Sequence, residues 1–229
     1  DLKVLKKKHS FTILIPISKN KNKLDILINY IEKINPRNLI VINLFKLGSK
    51  KPVDIKREKI FKNYLTVDLQ LILAKVIKNI LTLLTNTDVR LASIDLDNTC
   101  WTGVIGEDGV KKIFLDTYQK KSLDFINKLI GKTGLIVSIH SKNNEKLGIK
   151  GINNKLGKYI NIKNKTFKYI NWDAKINSIK KITKIVNFSK NNIIYLDDNI
   201  SEIKQINKFL LKKNCFWIKN SYFFYLYLK

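Results

Sequence analysis

From Leu91 onward, short apolar runs alternate with segments that have the periodicity of an amphipathic helix. A short apolar run bounded by polar or turn residues favours a buried strand. Because strands that alternate with helices indicate a parallel sheet covered on both faces, we predict an α/β fold with a doubly wound parallel sheet. The predicted strands are Leu91–Ile94, Leu135–Ile139, Phe167–Ile170, Ile193–Leu196 and Cys215–Ile218, and the predicted helices are Ser122–Ile130, Ala174–Val186 and Ser201–Leu211.

An N-terminal part precedes this pattern. We predict strands at Phe11–Ile17 and Asn38–Phe45, and helices at Leu24–Ile34 and Val67–Leu84. Residues 1–88 are therefore expected to form a small α/β appendage, either in its own right or as the remnant of a larger domain. Residues 89–229 are expected to form the main domain. The chain contains no methionine, which suggests a fragment of a longer protein.

The formal net charge of +26 would on its own favour a nucleic-acid-binding protein. Of the 44 basic residues, however, only Arg37, Arg57 and Arg90 are arginine, the residue best suited to bidentate recognition of phosphates and base edges. Lysine, asparagine and isoleucine share A/T-rich codons and are in excess along the whole chain. We therefore attribute the charge to codon bias and expect no nucleic-acid partner. Attraction of an acidic partner protein is the alternative.

Composition also limits the class of protein and its expected cellular location. Hydrophobic residues make up 45% of the chain, so a buried core is expected rather than disorder. No apolar run approaches the length of a membrane span, so no membrane partner is expected. The two cysteines, Cys100 and Cys215, do not make a disulfide framework, and a reducing cytoplasm is the expected location.

Polar clusters directly follow three of the predicted strands, and a lysine begins a predicted helix. Because ligands of open α/β sheets bind at the carboxyl ends of the strands, these groups are expected to converge at one edge. The clusters are Asp95-Leu96-Asp97-Asn98-Thr99, His140-Ser141-Lys142-Asn143 and Asp197-Asp198-Asn199, and the lysine is Lys175.

Such a constellation is typical of phosphoryl chemistry. Several carboxylates in one place repel each other and raise one another's pKa values, unless a hard cation such as Mg²⁺ is bound between them. An ionised Asp95 can then attack phosphorus, and Asp97 can protonate the leaving oxygen and later activate water. Ser141 and Lys175 can bind the phosphoryl oxygens.

The same residues resemble the haloacid dehalogenase (HAD) superfamily. Asp95–Thr99 matches its first motif, D-x-D-x-T, Ser141 its second, Lys175 its third and Asp197-Asp198 its fourth. The resemblance implies that residues 89–229 are a HAD-like catalytic domain that binds Mg²⁺. It also implies functional residues, with Asp95, Asp97, Cys100 and Lys175 catalytic, Thr99, Ser141, Asn143, Trp101 and Trp172 binding the substrate, and Asp95, Asp97, Asp197 and Asp198 holding the metal.

Longer segments are similar to the FkbH-like branch of that superfamily, namely Asp95–Gly109, His140–Asn144, Asn171–Lys175 and Tyr195–Asn199. This resemblance implies a transferase that takes a glyceryl unit from 1,3-bisphosphoglycerate, removes phosphate, and loads the unit on a phosphopantetheinylated acyl carrier protein in polyketide biosynthesis. In that scheme a thiolate of Cys100 takes the acyl group, because nearby positive potential would lower the pKa of the thiol. The run Gly106–Lys112 is similar to the flap hairpin of that family. One departure is Thr102, where the branch is expected to have glycine.

Several alternatives stay open at this stage. The connections from Thr99 to Ser141 and from Lys175 to Asp197 are too short for a cap domain, so the site is expected to be open. An open site suits a carrier-protein arm but equally suits a Mg²⁺-dependent phosphomonoesterase acting on a small molecule or a phosphoprotein. A non-catalytic docking domain is a third possibility. Cys100 can be a buried filler, Ser141 a helix cap, and the two tryptophans packing residues.

Overall fold

The computed structural model describes residues 12–18, 20–34, 39–48, 54, 65–86, 88–160 and 166–228. The chain divides into two compact units, Asp1–Lys78 and Asn79–Lys229. This division lies within a helix, whereas the sequence boundary at 88/89 stays a prediction. Among the described residues, no helix is both long and apolar enough to cross a membrane.

The first unit contains a parallel strand–helix–strand motif. It comprises β1 (Thr12–Leu14), α1 (Lys21–Ile34), β2 (Leu39–Val41) and a 3₁₀ turn, and the helix α2 (Val67–Thr85) begins in it. Thr12 pairs with Leu39 in a parallel register. The outer ends of the predicted strands, Phe11 and Asn38, lie outside the described residues.

The second unit is built on a five-stranded sheet in the order β5-β4-β3-β6-β7, in which all neighbours are parallel. The chain enters at the centre, moves outward on one side through β4 and β5, and returns to β6 and β7 on the other side. This path confirms the doubly wound prediction and places the topological switch point between β3 and β6. The strands are β3 (Leu91–Ile94), β4 (Ile136–Ser141), β5 (Thr166–Ile170), β6 (Ile193–Asp197) and β7 (Cys215–Trp217).

Helices surround this sheet. The helix α4 begins with a capping box, in which the Asp116 side chain accepts from the backbone of Gln119 and the Gln119 side chain accepts from the backbone of Asp116. The buried face of α6, with Ile179 and Ile182, packs in one hydrophobic cluster with Leu91. The helices are α3 (Ile105–Lys112), α4 (Thr117–Thr133), α5 (Glu145–Gly151), α6 (Lys175–Val186), α7 (Ile200–Ile206) and α8 (Ser221–Leu228), and α5 continues into a π-helical segment, Ile152–Leu156.

The segment Gly106–Lys112 corrects one sequence interpretation, since we expected a flap hairpin there. It forms most of α3, with a kink at Gly109, where φ is +72°. Acidic residues occupy the first turn and lysines the last turn, an arrangement that stabilises a helix through its dipole. Among the described residues around this segment, the one feature that a hairpin would also have is an antiparallel bridge between Thr102 and Phe114.

The prediction that no cap domain is inserted is confirmed. Within the described residues 88–160, the connection from β3 to β4 contains only α3, α4 and their loops. Between α6 and β6 there is only a 3₁₀ turn, Lys190–Asn192. In this unit the carboxyl edge of the sheet therefore carries loops and short helices in place of an inserted domain.

Candidate active site

The switch point between β3 and β6 carries the acidic residues. Asp95 follows the last residue of β3, and its backbone N–H donates to the carbonyl of Leu196 at 3.0 Å, which extends the pairing of the two strands. Asp197 ends β6. The two carboxyl groups are thus brought side by side by the parallel register, at the edge where open α/β sheets bind ligands.

Three carboxylates and one ammonium form the centre of this site. One carboxylate oxygen each from Asp95, Asp197 and Asp198 lie within 4.8 Å of one another. Nζ of Lys175 lies 2.6 Å from Oδ1 of Asp95 and 2.7 Å from Oδ2 of Asp197. The hydroxyl of Tyr195 also donates to Oδ2 of Asp197. Asp95, Lys175 and Asp197 are all buried.

Burial dominates the electrostatics of the cluster. It raises the pKa of Asp95 well above its ordinary value, the nearby Lys175 opposes this, and Asp197 adds to it. Burial, followed by the charge of Asp197, raises the pKa of Asp198 to about 6. For Lys175, burial alone would lower the pKa, but the carboxylates of Asp95 and Asp197 outweigh burial and raise it. The lysine therefore stays charged, while the carboxylates carry an excess of negative potential.

This donor set fits a hard divalent cation. Oxygen ligands are what Mg²⁺ prefers, and one ammonium cannot balance three carboxylates. The oxygens differ in their hydrogen bonding, because Oδ2 of Asp197 accepts from Lys175 and Tyr195, and Oδ1 accepts from the N–H of Asn199 at 2.8 Å. Oδ2 of Asp95 accepts no hydrogen bond from the described residues. Oδ2 of Asp95 therefore offers more accessible lone pairs than the carboxylate of Asp197 does.

Asp97 lies outside this group of three. Its Oδ1 accepts from Nε1 of Trp101 at 2.8 Å and from the N–H of Ile105 at 3.1 Å, and its Oδ2 accepts from Nδ2 of Asn143 at 2.8 Å. The side chain is half-buried. The carboxylate is thus oriented by three donors, and its role as a metal ligand stays a prediction.

The amide of Asn143 joins Asp97 to Ser141. Nδ2 lies 2.8 Å from Oγ of Ser141 as well as 2.8 Å from Oδ2 of Asp97. Because Oγ of Ser141 accepts from Asn143, its hydroxyl hydrogen is directed elsewhere and can be donated to an anion. The hydroxyl of Thr99 is buried and has no partner among the described residues, and its predicted substrate contact stays a prediction.

No family model matches the sequence, and no curated protein matches it. A solved structure does: the N-terminal part of a Bacteroides fragilis protein that contains a phosphatase domain, in complex with Mg, is 23% identical with a TM-score of 0.50. The match covers 90% of this chain and 59% of the solved chain. This chain therefore spans about three-fifths of that solved chain. This chain has a HAD-like fold.

Some of the solved structures with weaker similarity to this chain are phosphatases. The 3-deoxy-D-manno-octulosonate 8-phosphate phosphatase of Moraxella catarrhalis, in complex with magnesium, phosphate and its sugar, is 14% identical, with a TM-score of 0.41 over 56% of this chain and 67% of that one. The cobalt-bound deoxy-D-mannose-octulosonate 8-phosphate phosphatase of Haemophilus influenzae is 13% identical, with a TM-score of 0.39 over 52% of this chain and 64% of that one. Both similarities are too weak to assign a fold or function.

Three residues predicted to belong to the site, Cys100, Trp101 and Trp172, differ in their burial. Cys100 is buried, and burial together with the carboxylates of Asp95 and Asp97 raises the pKa of its thiol well above the ordinary value. The expectation of a lowered thiol pKa depended on bound Mg²⁺ and stays a prediction. Trp101 is fully buried, and its Nε1 donates to Asp97, so its predicted substrate contact also stays a prediction. Trp172 is 71% exposed in the loop before Lys175, and its predicted substrate contact stays a prediction.

The contacts of three further polar residues in this unit were not predicted from the sequence. Tyr195 precedes Asp197 by two positions in β6, and the period of a strand places both on one face, so this contact could have been predicted. His140 is buried in a chain of hydrogen bonds that ends at the backbone of Lys175. Glu202 is buried on α7 and pairs with Lys142 at 2.6 Å, a tertiary contact with no local sequence signal.

Proposed function

We propose that this protein is a Mg²⁺-dependent phosphomonoesterase in which Asp95 is the nucleophile. One observation carries the proposal, namely that Lys175 bridges Asp95 and Asp197 inside a cluster of three carboxylates at the switch point of the sheet. A group of buried, like-charged carboxylates is unfavourable without a cation, and perturbed pKa values of this kind are typical of functional sites.

The residues that would hold Mg²⁺ are Asp95, Asp197 and Asp198, and Asp97 would act as the general acid predicted from the sequence. When bound, the ion supplies neutralisation of the carboxylates and polarisation of a phosphoryl oxygen. Lys175 favours the ionised form of Asp95 by pairing with Oδ1, against the effect of burial. This leaves Oδ2 as the oxygen that can attack phosphorus.

The remaining polar groups bind the phosphoryl oxygens. An ammonium has three hydrogens, of which Lys175 donates two to Asp95 and Asp197, so one is left for the substrate. The hydroxyl of Ser141 is directed away from Asn143 and can donate a second hydrogen bond. The unpaired hydroxyl of Thr99 can supply a third. Such donors stabilise the charge that develops on phosphorus oxygens during transfer.

Phosphate release from a panel of sugar, glyceryl and aryl phosphomonoesters tests the proposal, with Mg²⁺ and with excess EDTA. We expect release that requires Mg²⁺ and is abolished in Asp95→Asn, which keeps the shape of the side chain but removes the nucleophilic charge. Asp124→Asn, an exposed carboxylate on α4, is the matched control and should keep the wild-type rate. Equal release by Asp95→Asn would remove the nucleophile from the proposal.

Glyceryl transfer to an acyl carrier protein is the second candidate. The observation that favours it is that Cys100 lies close enough to Asp95 and Asp97 for both carboxylates to raise its pKa, so a second nucleophile stands beside the first. Burial of the thiol counts against it. Mass spectrometry after incubation with 1,3-bisphosphoglycerate separates the two candidates. An acyl adduct that is lost in Cys100→Ala supports transfer, and phosphate release without an adduct supports hydrolysis.

A further inference from the structure

The two oxygens of Asp97 have different hydrogen-bond environments. Oδ1 accepts two hydrogen bonds, from Nε1 of Trp101 at 2.8 Å and from the N–H of Ile105 at 3.1 Å. Oδ2 accepts one, from Asn143 at 2.8 Å. A carboxylate oxygen has two lone pairs, so Oδ1 is saturated, whereas Oδ2 keeps one position open.

Both donors to Oδ1 belong to rigid parts of the structure. The indole of Trp101 is fully buried, and Ile105 is buried at the first position of α3. Neither donor can rotate away from Asp97 without moving packed side chains. A proton on Oδ1 would face two N–H groups and displace at least one of them, whereas a proton on Oδ2 points into the open position.

We propose that Trp101 is a positioning residue that, together with the N–H of Ile105, fixes Oδ1 of Asp97 as an acceptor and so places the transferable proton on Oδ2. This inference rests on the proposed phosphatase function and deepens it, because it assigns the general acid to one atom. It also gives Trp101 a role other than the substrate contact expected from the sequence.

The proton then follows a balanced path. Oδ2 of Asp95 forms a bond to phosphorus, and the bond from phosphorus to the ester oxygen breaks with its electron pair on that oxygen. The ester oxygen takes the proton from Oδ2 of Asp97 and leaves as an alcohol. In the second half, water attacks the phosphoryl group on Asp95 and gives one proton back to Oδ2 of Asp97. The bond from phosphorus to Oδ2 of Asp95 breaks with its electron pair on that oxygen, inorganic phosphate leaves, and both carboxyl groups return to their starting states.

The dependence of the rate on the leaving group distinguishes a positioning role of Trp101 from structural support alone. An aryl phosphate such as p-nitrophenyl phosphate loses its leaving group without a proton, whereas an alkyl phosphate such as β-glycerophosphate needs general acid catalysis. Trp101→Phe keeps the buried ring and removes only the donor to Oδ1. We expect kcat/KM to fall by about tenfold or more for the alkyl ester and by much less for p-nitrophenyl phosphate. A fall of this size is a part of the full contribution of a general acid. An equal loss with both substrates, or none, overturns the proposal.

A second pair of variants covers the case in which Trp101→Phe does not fold. Ile105→Pro removes the other donor to Oδ1, and proline suits the first position of a helix. The preceding Val104 has φ −108° and ψ 111°, which a following proline allows. Ile105→Val keeps the N–H and matches proline in its number of side-chain carbons. We expect the selective loss with alkyl esters in Ile105→Pro and not in Ile105→Val, and the same loss in both variants contradicts the proposal.

Asp97→Asn separates failure of this inference from failure of the proposed function. It should reduce turnover of the alkyl ester far more than turnover of p-nitrophenyl phosphate. If it does so while Trp101→Phe and Ile105→Pro behave like the wild type, the positioning role is wrong and the phosphatase mechanism stands. If Asp97→Asn itself shows no selectivity, Asp97 is not the general acid and this inference falls, whereas Asp95 as the nucleophile is tested separately by Asp95→Asn.

Discussion

Lys175 and Asp95 join the start of α6 to the carboxyl end of β3 through an ion pair of 2.6 Å between Nζ and Oδ1. Both side chains are buried, so the pair is not screened by solvent as a surface pair would be. Replacing Lys175 by methionine leaves Asp95 and Asp197 buried without their counter-charge. Removal of one partner from a buried pair typically costs about 3–5 kcal/mol, and we expect the free energy of unfolding to fall by that order.

Urea denaturation in EDTA at neutral pH measures this effect. Lys204→Met, an exposed lysine on α7, is the control and should change stability by no more than about 0.5 kcal/mol. If Lys175→Met were as stable as Lys204→Met, the ion pair would contribute nothing and the account of the cluster would need revision.

Mg²⁺ should stabilise the folded protein through the carboxylate cluster, because a ligand that binds only the native state raises its stability in proportion to the logarithm of its concentration. Asp198→Asn removes one charged ligand and should shift this dependence to higher Mg²⁺ concentrations. Thermal denaturation over a Mg²⁺ titration measures the shift, with Asp124→Asn as the exposed control. Identical titration curves for the two variants would exclude Asp198 as a ligand.

His140 should give the protein a characteristic loss of stability in acid. Burial, with a smaller effect of Lys175, lowers the pKa of His140 to about 3, below the value of about 6.5 expected for an unfolded chain. Between these values the unfolded state binds one more proton. The contribution of His140 to the free energy of unfolding should therefore decrease by about 1.4 kcal/mol for each pH unit below about 6.5, and be unaffected above it.

The hydrogen bonds of His140 explain why it stays neutral. Ser178 donates to the backbone carbonyl of Lys175 at 2.9 Å, so it must accept from Nδ1 of His140. Nε2 then accepts from Ser138, which in turn accepts from Ser93 at 2.7 Å. The His140→Gln variant lacks the contribution of the histidine to the pH dependence. Its free energy of unfolding should therefore change less between pH 6.5 and 3 than that of the wild type. Parallel pH profiles of the two proteins would show that His140 does not titrate as described.

Two glycines offer a matched test of packing around Trp101. A Cβ at Gly151 would lie 2.4 Å from Cδ1 of Ile105 and 3.2 Å from Cη2 of Trp101, so Gly151→Ala should destabilise the protein by about 1–3 kcal/mol and lower phosphatase activity. At Gly131 a Cβ meets nothing within 4 Å, and Gly131→Ala should stabilise α4 by about 0.5–1 kcal/mol. Chemical denaturation and activity assays measure both. Equal behaviour of the variants would contradict the described packing.

Much of the fold could be predicted because apolar runs mark its strands. The run Leu91–Ile94 is β3, and Ile193–Leu196 differs from β6 only by its last residue. The helix α8 has no such signal, since every residue from Tyr222 to Leu228 is buried and no face is polar. The helix α3 was interpreted as a hairpin from the family resemblance, and its glycines, Gly106 and Gly109, weaken the helical propensity that would have argued otherwise.

The sequence indicated which residues lie near one another at the candidate site, but it indicated less well which atoms contact each other. Residues after neighbouring parallel strands must lie together, which places Asp95 beside Asp197. The spacing of Asp95 and Asp97 suggested one shared pocket, yet only Asp95 joins the cluster, because Trp101, Ile105 and Asn143 hold Asp97. The environment of Cys100 likewise depends on burial and on nearby carboxylates, which local sequence does not reveal.

Trapping a phosphorylated enzyme tests the central claim most directly. The protein is mixed with a phosphomonoester and Mg²⁺, quenched with acid during turnover, digested, and analysed by mass spectrometry. We expect a phosphoryl adduct on the peptide that contains Asp95, absent in Asp95→Asn and when EDTA replaces Mg²⁺. Phosphate release by the wild type without an adduct at Asp95, together with an undiminished rate in Asp95→Asn, would contradict Asp95 as the nucleophile.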